Sequence, residues 1–269
     1  MPWINDVEAY CNKYNVPVEY LADVLHEPKV VPMIRGKAFE FSAMLKLQTI
    51  LPPETWRVDK PVMNAQLGSH DMDVRVIHIP TGREISVECK LAKNNSFRTR
   101  STTGYDMRVK CMRSRTLGTE MVRTLAPRLG VTEEILSIHN DQYVPTDFDM
   151  VMTSIGNAFY RTNQDTGSFD WSPNPQELEF LRHLFEEQDD NRLKDLTYNK
   201  MYIATSHSLA VLEGNDQKCK RRKCPINNSC GFIPNYPFLE FVRGQRIPRM
   251  PWIDVDTSLG LFEAFVQTD

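Results

Sequence analysis

Three shortages bound this chain before any motif is considered. Its 269 residues contain no run of about 18 consecutive apolar residues, so no membrane-spanning helix is expected. The opening stretch MPWINDVEAY has no basic segment followed by an apolar one. An export leader is therefore not expected, and the six cysteines are read for a reducing, cytoplasmic compartment. Net charge of one sign is also scarce: 32 Lys and Arg face 35 Asp and Glu, a formal −3, which excludes polyanion binding driven by overall charge. Internal repeats and low-complexity tracts are missing, so a solenoid or a disordered array is excluded. What remains is a chain with 41% hydrophobic residues, enough for an ample core in one large domain or one domain with an appended module.

The weak overall charge hides a strong local one. Between Lys90 and Arg128 lie Lys90, Lys93, Arg98, Arg100, Arg108, Lys110, Arg113, Arg115, Arg123 and Arg128, opposed only by Asp106 and Glu120. The balancing acids cluster later, from Glu177 to Asp195. A binding face needs only its own field to be positive.

Periodicity predicts helices from Trp3 to Leu51, broken at Pro17 and near Pro28 and Pro32, with Asn5 as a cap for the first. In the last of them, Arg35 to Leu51, Phe39, Ala43, Leu47 and Ile50 share one face. Trp56-Arg57-Val58 reads as a strand. Asn94 to Gly118 has no clean period and reads as a loop with a short element near Met107 to Cys111. A helix is expected over Thr119 to Leu129, a capped start at Thr132, strands over Phe148 to Tyr160 and Met201 to Leu212, and a helix over Pro175 to Asp195. This order gives a mixed α/β sheet flanked by helices.

The stretch GSHDMDVRVIHIPTGREISVECKLA, Gly68 to Ala92, reads as a β-hairpin. Val74, Val76 and Ile79 form one apolar run, Pro80-Thr81-Gly82 the turn, and Ile85, Val87 and Cys89 the return. Asp73 opens the first strand; Glu88 and Lys90, two apart in the second, leave the same side of the sheet, whereas Cys89 points to the core. Two carboxylates and an ammonium on a strand pair suit a hard divalent cation beside a group that orients water. Asp71 shares the period of Asp73 but precedes the apolar run, so Asp73 is preferred. A solvated strand face with a cross-strand ion pair is the bland alternative. His70 and His78 have no triad partner in the sequence.

Asp73 followed by Glu88-Cys89-Lys90 resembles the bipartite motif of the PD-(D/E)XK nuclease superfamily, with Met72 where proline often stands. Gly36-Lys37-Ala38-Phe39-Glu40 resembles the start of the helix that precedes the hairpin there and lends a further carboxylate. Glu40 could equally sit in an early helical turn for the sake of the helix dipole. The resemblance implies a restriction-endonuclease-like fold and a type II restriction endonuclease hydrolysing double-stranded DNA with Mg²⁺. Asp73 and Glu88 would hold metal, Lys90 would act at the water, Glu40 would support them, and a homodimer would match a palindromic site. A modification-dependent, repair or junction-resolving nuclease of the same superfamily, and a non-catalytic DNA-binding protein, remain alternatives.

The division expected is a catalytic part over 1–214 and a Cys/Arg-rich segment over 215–269 packed on the same domain. Cys219, Cys224 and Cys230, spaced C-x4-C-x5-C, are three ligands of a site that wants four. His207 is the nearest fourth; Cys111 or a residue brought in by the fold are alternatives. Structural Zn²⁺, an iron–sulfur cluster and unmetallated thiols all stay open. Lys218, Lys220, Arg221, Arg222 and Lys223 surround these cysteines, and Arg243, Arg246 and Arg249 follow. Two regions are thus candidates for DNA contact: Arg98, Arg100, Arg108, Arg113 and Arg115 in one, Lys220, Arg221 and Arg222 in the other.

Overall fold

The computed structural model describes residues 2–61, 72–100, 103–226 and 228–267. The chain up to Ile50 is helical, as periodicity predicts: α1 (Pro2–Tyr14), α2 (Leu21–His26) and α3 (Val30–Ile50). Two boundaries differ from expectation. Asn5 lies inside α1 and does not cap it. Pro32 does not break the chain but sits in the first turn of α3, where the missing N–H would have had no intrahelical acceptor.

A meander of β1 (Trp56–Asp59), β2 (Val74–His78) and β3 (Arg83–Cys89) follows, antiparallel throughout. Gly82 closes the β2–β3 turn at φ 71°, a left-handed conformation that glycine adopts without strain, and its N–H donates to His78 O at 2.8 Å. The stretch expected to be irregular contains a ribbon, β4 (Arg98–Arg100) and β5 (Gly104–Arg108). Next come α4 (Thr119–Arg128) and α5 (Glu133–Ile138), the latter capped by Thr132, whose hydroxyl accepts from Ile135 N at 3.2 Å.

Strand β6 (Met150–Ser154) ends before the expected Tyr160, giving way to a 3-10 turn and then to the ribbon β7 (Tyr160–Thr162) and β8 (Phe169–Trp171). The single helix expected over Pro175 to Asp195 is two, α6 (Pro175–Phe185) and α7 (Asp190–Asn199), parted at Glu186 with φ 53°. Strand β9 (Met201–Thr205) likewise stops short of Leu212, because the Thr205 side chain caps the short α8 (Ser206–Leu209). The chain finishes with β10 (Phe238–Val242), β11 (Ile253–Asp254) and α9 (Leu259–Gln267).

Among the described residues, six strands form the main sheet in the order β1-β2-β3-β6-β9-β11. It is mixed, since β3 and β6 run parallel while the other neighbours are antiparallel. Helices flank it. On one face, Phe39, Ala43 and Leu47 of α3 and Phe262 of α9 pack on Val74, Val76, Ile85, Val87 and Cys89. On the other, Val151, Tyr202 and Ala204 meet α6, α7 and a three-stranded sheet ordered β10-β5-β4. The segment 215–269 is woven into this body: β10 pairs with β5, β11 with β9, and α9 fills the first face. No helix among the described residues is long and apolar enough to cross a membrane.

One contact within the three-stranded sheet depends on a missing side chain. A Cβ on Gly104 would lie 2.0 Å from Phe241 O, and its φ of 156° adds strain for any other residue. Gly104→Ala is therefore expected to open the β5–β10 pairing and destabilise the protein by about 1–3 kcal/mol or more. A lower urea midpoint at constant m-value is the readout.

Candidate functional site

The β2–β3 register delivers the acidic pair. Val74 opposes Val87, so Asp73 and Glu88 fall one step further along the same ladder. With Val74 and Val87 turned toward α3, alternation sends Asp73, Glu88 and Lys90 to the other side. The backbone at this point is held firmly. Asp73 Oδ2 accepts from Cys89 N at 2.9 Å, and Lys90 N donates to Met152 O at 2.9 Å, carrying the sheet one residue past the end of β3.

Glu88 Oε1 accepts from Lys90 Nζ at 2.5 Å and from the Tyr143 hydroxyl at 3.0 Å. Glu40, the neighbour of Phe39 on α3, reaches the same place from the helical layer. Its carboxylate pairs with Lys37 Nζ at 2.8 Å and with Lys60. Lys60 Nζ also donates to Asp73 O at 3.1 Å, tying α3 to the strand that carries Asp73. Glu40, Asp73 and Glu88 are only 7%, 7% and 9% exposed, yet all three line one open cleft of about 1070 Å³ together with Lys90, Lys93, Lys110 and Arg115. A solvated strand face would not bury its carboxylates in this way.

Burial, then the carboxylates of Glu88 and Glu40, push Asp73 up to about 7 despite Lys90 and the Cys89 N–H. Burial alone would lower the Lys90 ammonium, but Glu88 foremost, with Tyr143 and Asp73, holds it above its ordinary value, so it stays a cation at neutral pH. Burial and Glu88 raise the Tyr143 phenol, which therefore remains a donor. The Cys89 thiol is pushed up chiefly by burial and is a core side chain, as expected. Lys60 and Tyr143 had no motif to announce them; only the fold brings them to the carboxylates.

The arginines expected to contact DNA divide into two groups. Arg98, Arg115, Lys220 and Arg222 are exposed, and Lys220 Nζ sits 3.9 Å from the centre of the Phe238 ring, with Arg108 over the same ring at 5.8 Å. Arg100 is exposed too but bonded to Asp106 at 2.6 Å and to Glu240 at 2.7 Å. Arg113 and Arg221 turn inward. Arg113 donates from Nε to Gln142 O at 2.9 Å, pairs with Asp147 and lies 5.0 Å from the Tyr143 ring, so it braces the residue that holds Glu88. Arg221 pairs with Asp141. These two are better placed to shape the site than to touch a ligand.

Cys219, Cys224 and Cys230 do converge, and a histidine joins them. It is His139, not His207: the ligand atoms of His139 and the three cysteines lie within 4.8 Å of one another, an arrangement that could hold a structural metal. His207 is exposed on α8, its carbonyl taken up by Asn215. Cys111 is buried in the core between the sheets, and its thiol is pushed up to about 12 by burial. His78 lies tilted against Trp56, 4.7 Å between ring centres, and bonds Thr81 at 2.8 Å, a hairpin brace. Asp71 and His70 lie outside the described residues.

No family model, curated protein or solved structure matches the chain. The acidic cleft and the thiol cluster are therefore the ground for any functional reading.

Proposed function

We propose that this protein is a Mg²⁺-dependent endodeoxyribonuclease of the PD-(D/E)XK kind, with a restriction-endonuclease-like core, and that it cuts double-stranded DNA at specific sites as a type II restriction enzyme. The observation that carries the reading is the meeting of Asp73, Glu88, Lys90 and Glu40 in one cleft from two strands and a helix. Hard oxygen donors in that number, one of them driven toward its protonated form by burial and then by the others, fit a divalent cation. Asp73 and Glu88 would hold Mg²⁺, which would supply positive charge against the negative charge that grows on the phosphate oxygens as a diester is hydrolysed.

The chain's own side chains do the rest. Lys90 keeps its proton at neutral pH, and so serves to position the attacking water and stabilise charge and not to remove a proton. Tyr143, braced by Arg113, fixes the rotamer of Glu88. Glu40 and Lys60 hold the Asp73 strand against α3. The cations along the rim, Lys93, Lys110 and Arg115, give the cleft the sign a DNA backbone requires. Arg98, Arg108, Lys220 and Arg222 extend that sign outward, and a homodimer would present the whole surface twice to a palindrome.

The test is digestion of methylated and unmethylated plasmid in parallel, with Mg²⁺ and with chelator. Discrete fragments from unmodified DNA, lost on chelation, are expected. Cutting confined to methylated DNA would reassign the enzyme to modification-dependent nucleases, and duplexes left intact with both magnesium and manganese would end the nuclease reading.

A further inference from the structure

We infer that His139, Cys219, Cys224 and Cys230 form a closed, tetrahedral Zn²⁺ centre in which His139 ligates through Nε2 and Gln142 sets its tautomer. The proposal does not depend on the nuclease reading, because the residues it uses lie in the segments 139–142 and 218–233, away from Asp73, Glu88 and Lys90 in sequence.

The hydrogen bonds of Gln142 decide which nitrogen of His139 is available. Gln142 is buried, and its Nε2 donates to Ile233 O at 2.8 Å. Its Oε1 therefore faces His139 Nδ1 at 2.5 Å and accepts from Arg221 Nε at 3.2 Å. Turning the amide over would set its NH2 against the arginine donor and its oxygen against a carbonyl, so this orientation is forced. Nδ1 must then carry the proton. Nε2 is left with a bare lone pair, and it is a buried atom with no hydrogen-bond partner. The ring is fully buried and stacked on Phe232, 4.2 Å between centroids and 4° from parallel, so it has no freedom to seek another acceptor or donor. A buried histidine in a group of thiols, with one nitrogen tied to a carbonyl-type oxygen and the other bare, is the arrangement of a metal-bound imidazole.

The sulfur side agrees. All three cysteines are free thiols, and Arg221 N donates to Cys219 Sγ at 3.4 Å, a bond that favours thiolate. Their spread fits a single ion and not a cluster. A zinc ion with bonds of about 2.3 Å to sulfur places its ligand atoms about 3.8 Å apart, a spacing that lies within the observed limit of 4.8 Å. An iron–sulfur cluster would have to hold its four ligands well beyond that. Sulfur donors also disfavour Mg²⁺ and Ca²⁺. Zn²⁺ with three thiolates and a neutral imidazole has a net charge of −1, and the loop that wraps it supplies Lys218, Lys220, Arg221, Arg222 and Lys223 as counter-charge.

The experiment is metal analysis of the full-length protein purified without chelator, followed by exchange for Co²⁺. One zinc per chain is expected, with visible cobalt bands of tetrahedral intensity and a sulfur-to-cobalt charge-transfer band. His139→Ala should lose the metal, whereas His139→Cys, which restores a fourth ligand, should keep it. Gln142→Ala should weaken zinc binding roughly 10–100-fold, the size found for groups that orient a ligand, and His207→Ala should change nothing. The assignment is overturned if the protein as purified is folded but metal-free with all three thiols titrating freely. It is equally overturned if His139→Ala and Gln142→Ala bind zinc as tightly as the parent. Metal content is read without any cleavage assay, so failure here and failure of the nuclease reading remain distinct.

Discussion

Lys90→Ala is expected to slow DNA cleavage about 10²–10³-fold, the penalty for deleting a donor aimed at charge that develops in a transition state. Duplex binding should stay within a few-fold, because the rim cations Lys93, Lys110 and Arg115 are untouched. Single-turnover cleavage and a gel-shift titration would separate the two effects. Glu88→Gln is expected to lose at least as much rate, since the amide presents a weaker oxygen to a cation and leaves Lys90 without its partner at 2.5 Å. A Lys90→Ala protein that cuts at the parental rate would remove Lys90 from the mechanism and with it the reason to read this hairpin as catalytic.

A second substitution should do something that ordinary core mutations do not: make the metal-free protein more stable. Asp73 titrates at about 7 when folded against an ordinary value of 3.8, because burial and two neighbouring carboxylates oppose its charge. Between those pH values the folded chain keeps a proton that the unfolded chain has released. The sign follows: the destabilising contribution of Asp73 is absent at acid pH, grows as pH rises from about 4 to about 7, and is constant above. At 1.36 kcal/mol per unit, the full effect at pH 8 is about 4 kcal/mol as an upper bound. Asp73→Asn has no charge to bury and can still accept from the Cys89 N–H. In chelator it should match the parent near pH 4 and exceed it progressively toward pH 8, as read from urea midpoints. Added Mg²⁺ should stabilise the parent and not the variant. Equal midpoints across the whole range would show that Asp73 carries no such burden. A site that is strained when empty and relieved when filled is what a metal-requiring enzyme would show.

What could be seen in the sequence was whatever had a period. The hairpin was legible because one side of β2 and β3 packs on α3, so Val74, Val76, Ile85 and Val87 recur at every second position, with Ile77 the one apolar residue on the other strand face. The helix α3 was legible for the same reason through Phe39, Ala43 and Leu47. The ribbon β4–β5 was not. Asp106 is buried among its apolar neighbours and neutralised by Arg100, so a charge occupies a position where alternation requires an apolar residue. The break at Glu186 was hidden because its left-handed backbone needs no glycine signal.

At the sites, the three acidic or basic residues of the hairpin were set by local register, which sequence records. Tyr143, Lys60 and His139 arrive by tertiary packing, which it does not. For His139 a trace existed in hindsight: a histidine at the end of an amphipathic helix, followed two residues on by Asp141 and then by Gln142, beside a chain in want of one more ligand. His207 was nearer along the chain, but proximity in sequence is a poor guide to a fourth ligand.

The late arrival of β10 bears on how the molecule is made. Strand β5 needs β10 along one edge, yet the residues that supply it leave the ribosome long after β5 itself has emerged. Until then the nascent chain exposes an unpaired edge and the apolar side chains of Met107 and Val109, which Leu239 and Phe241 later cover. A message cut short before residue 238 should therefore yield a product that proteases clear, and not a shortened but working protein.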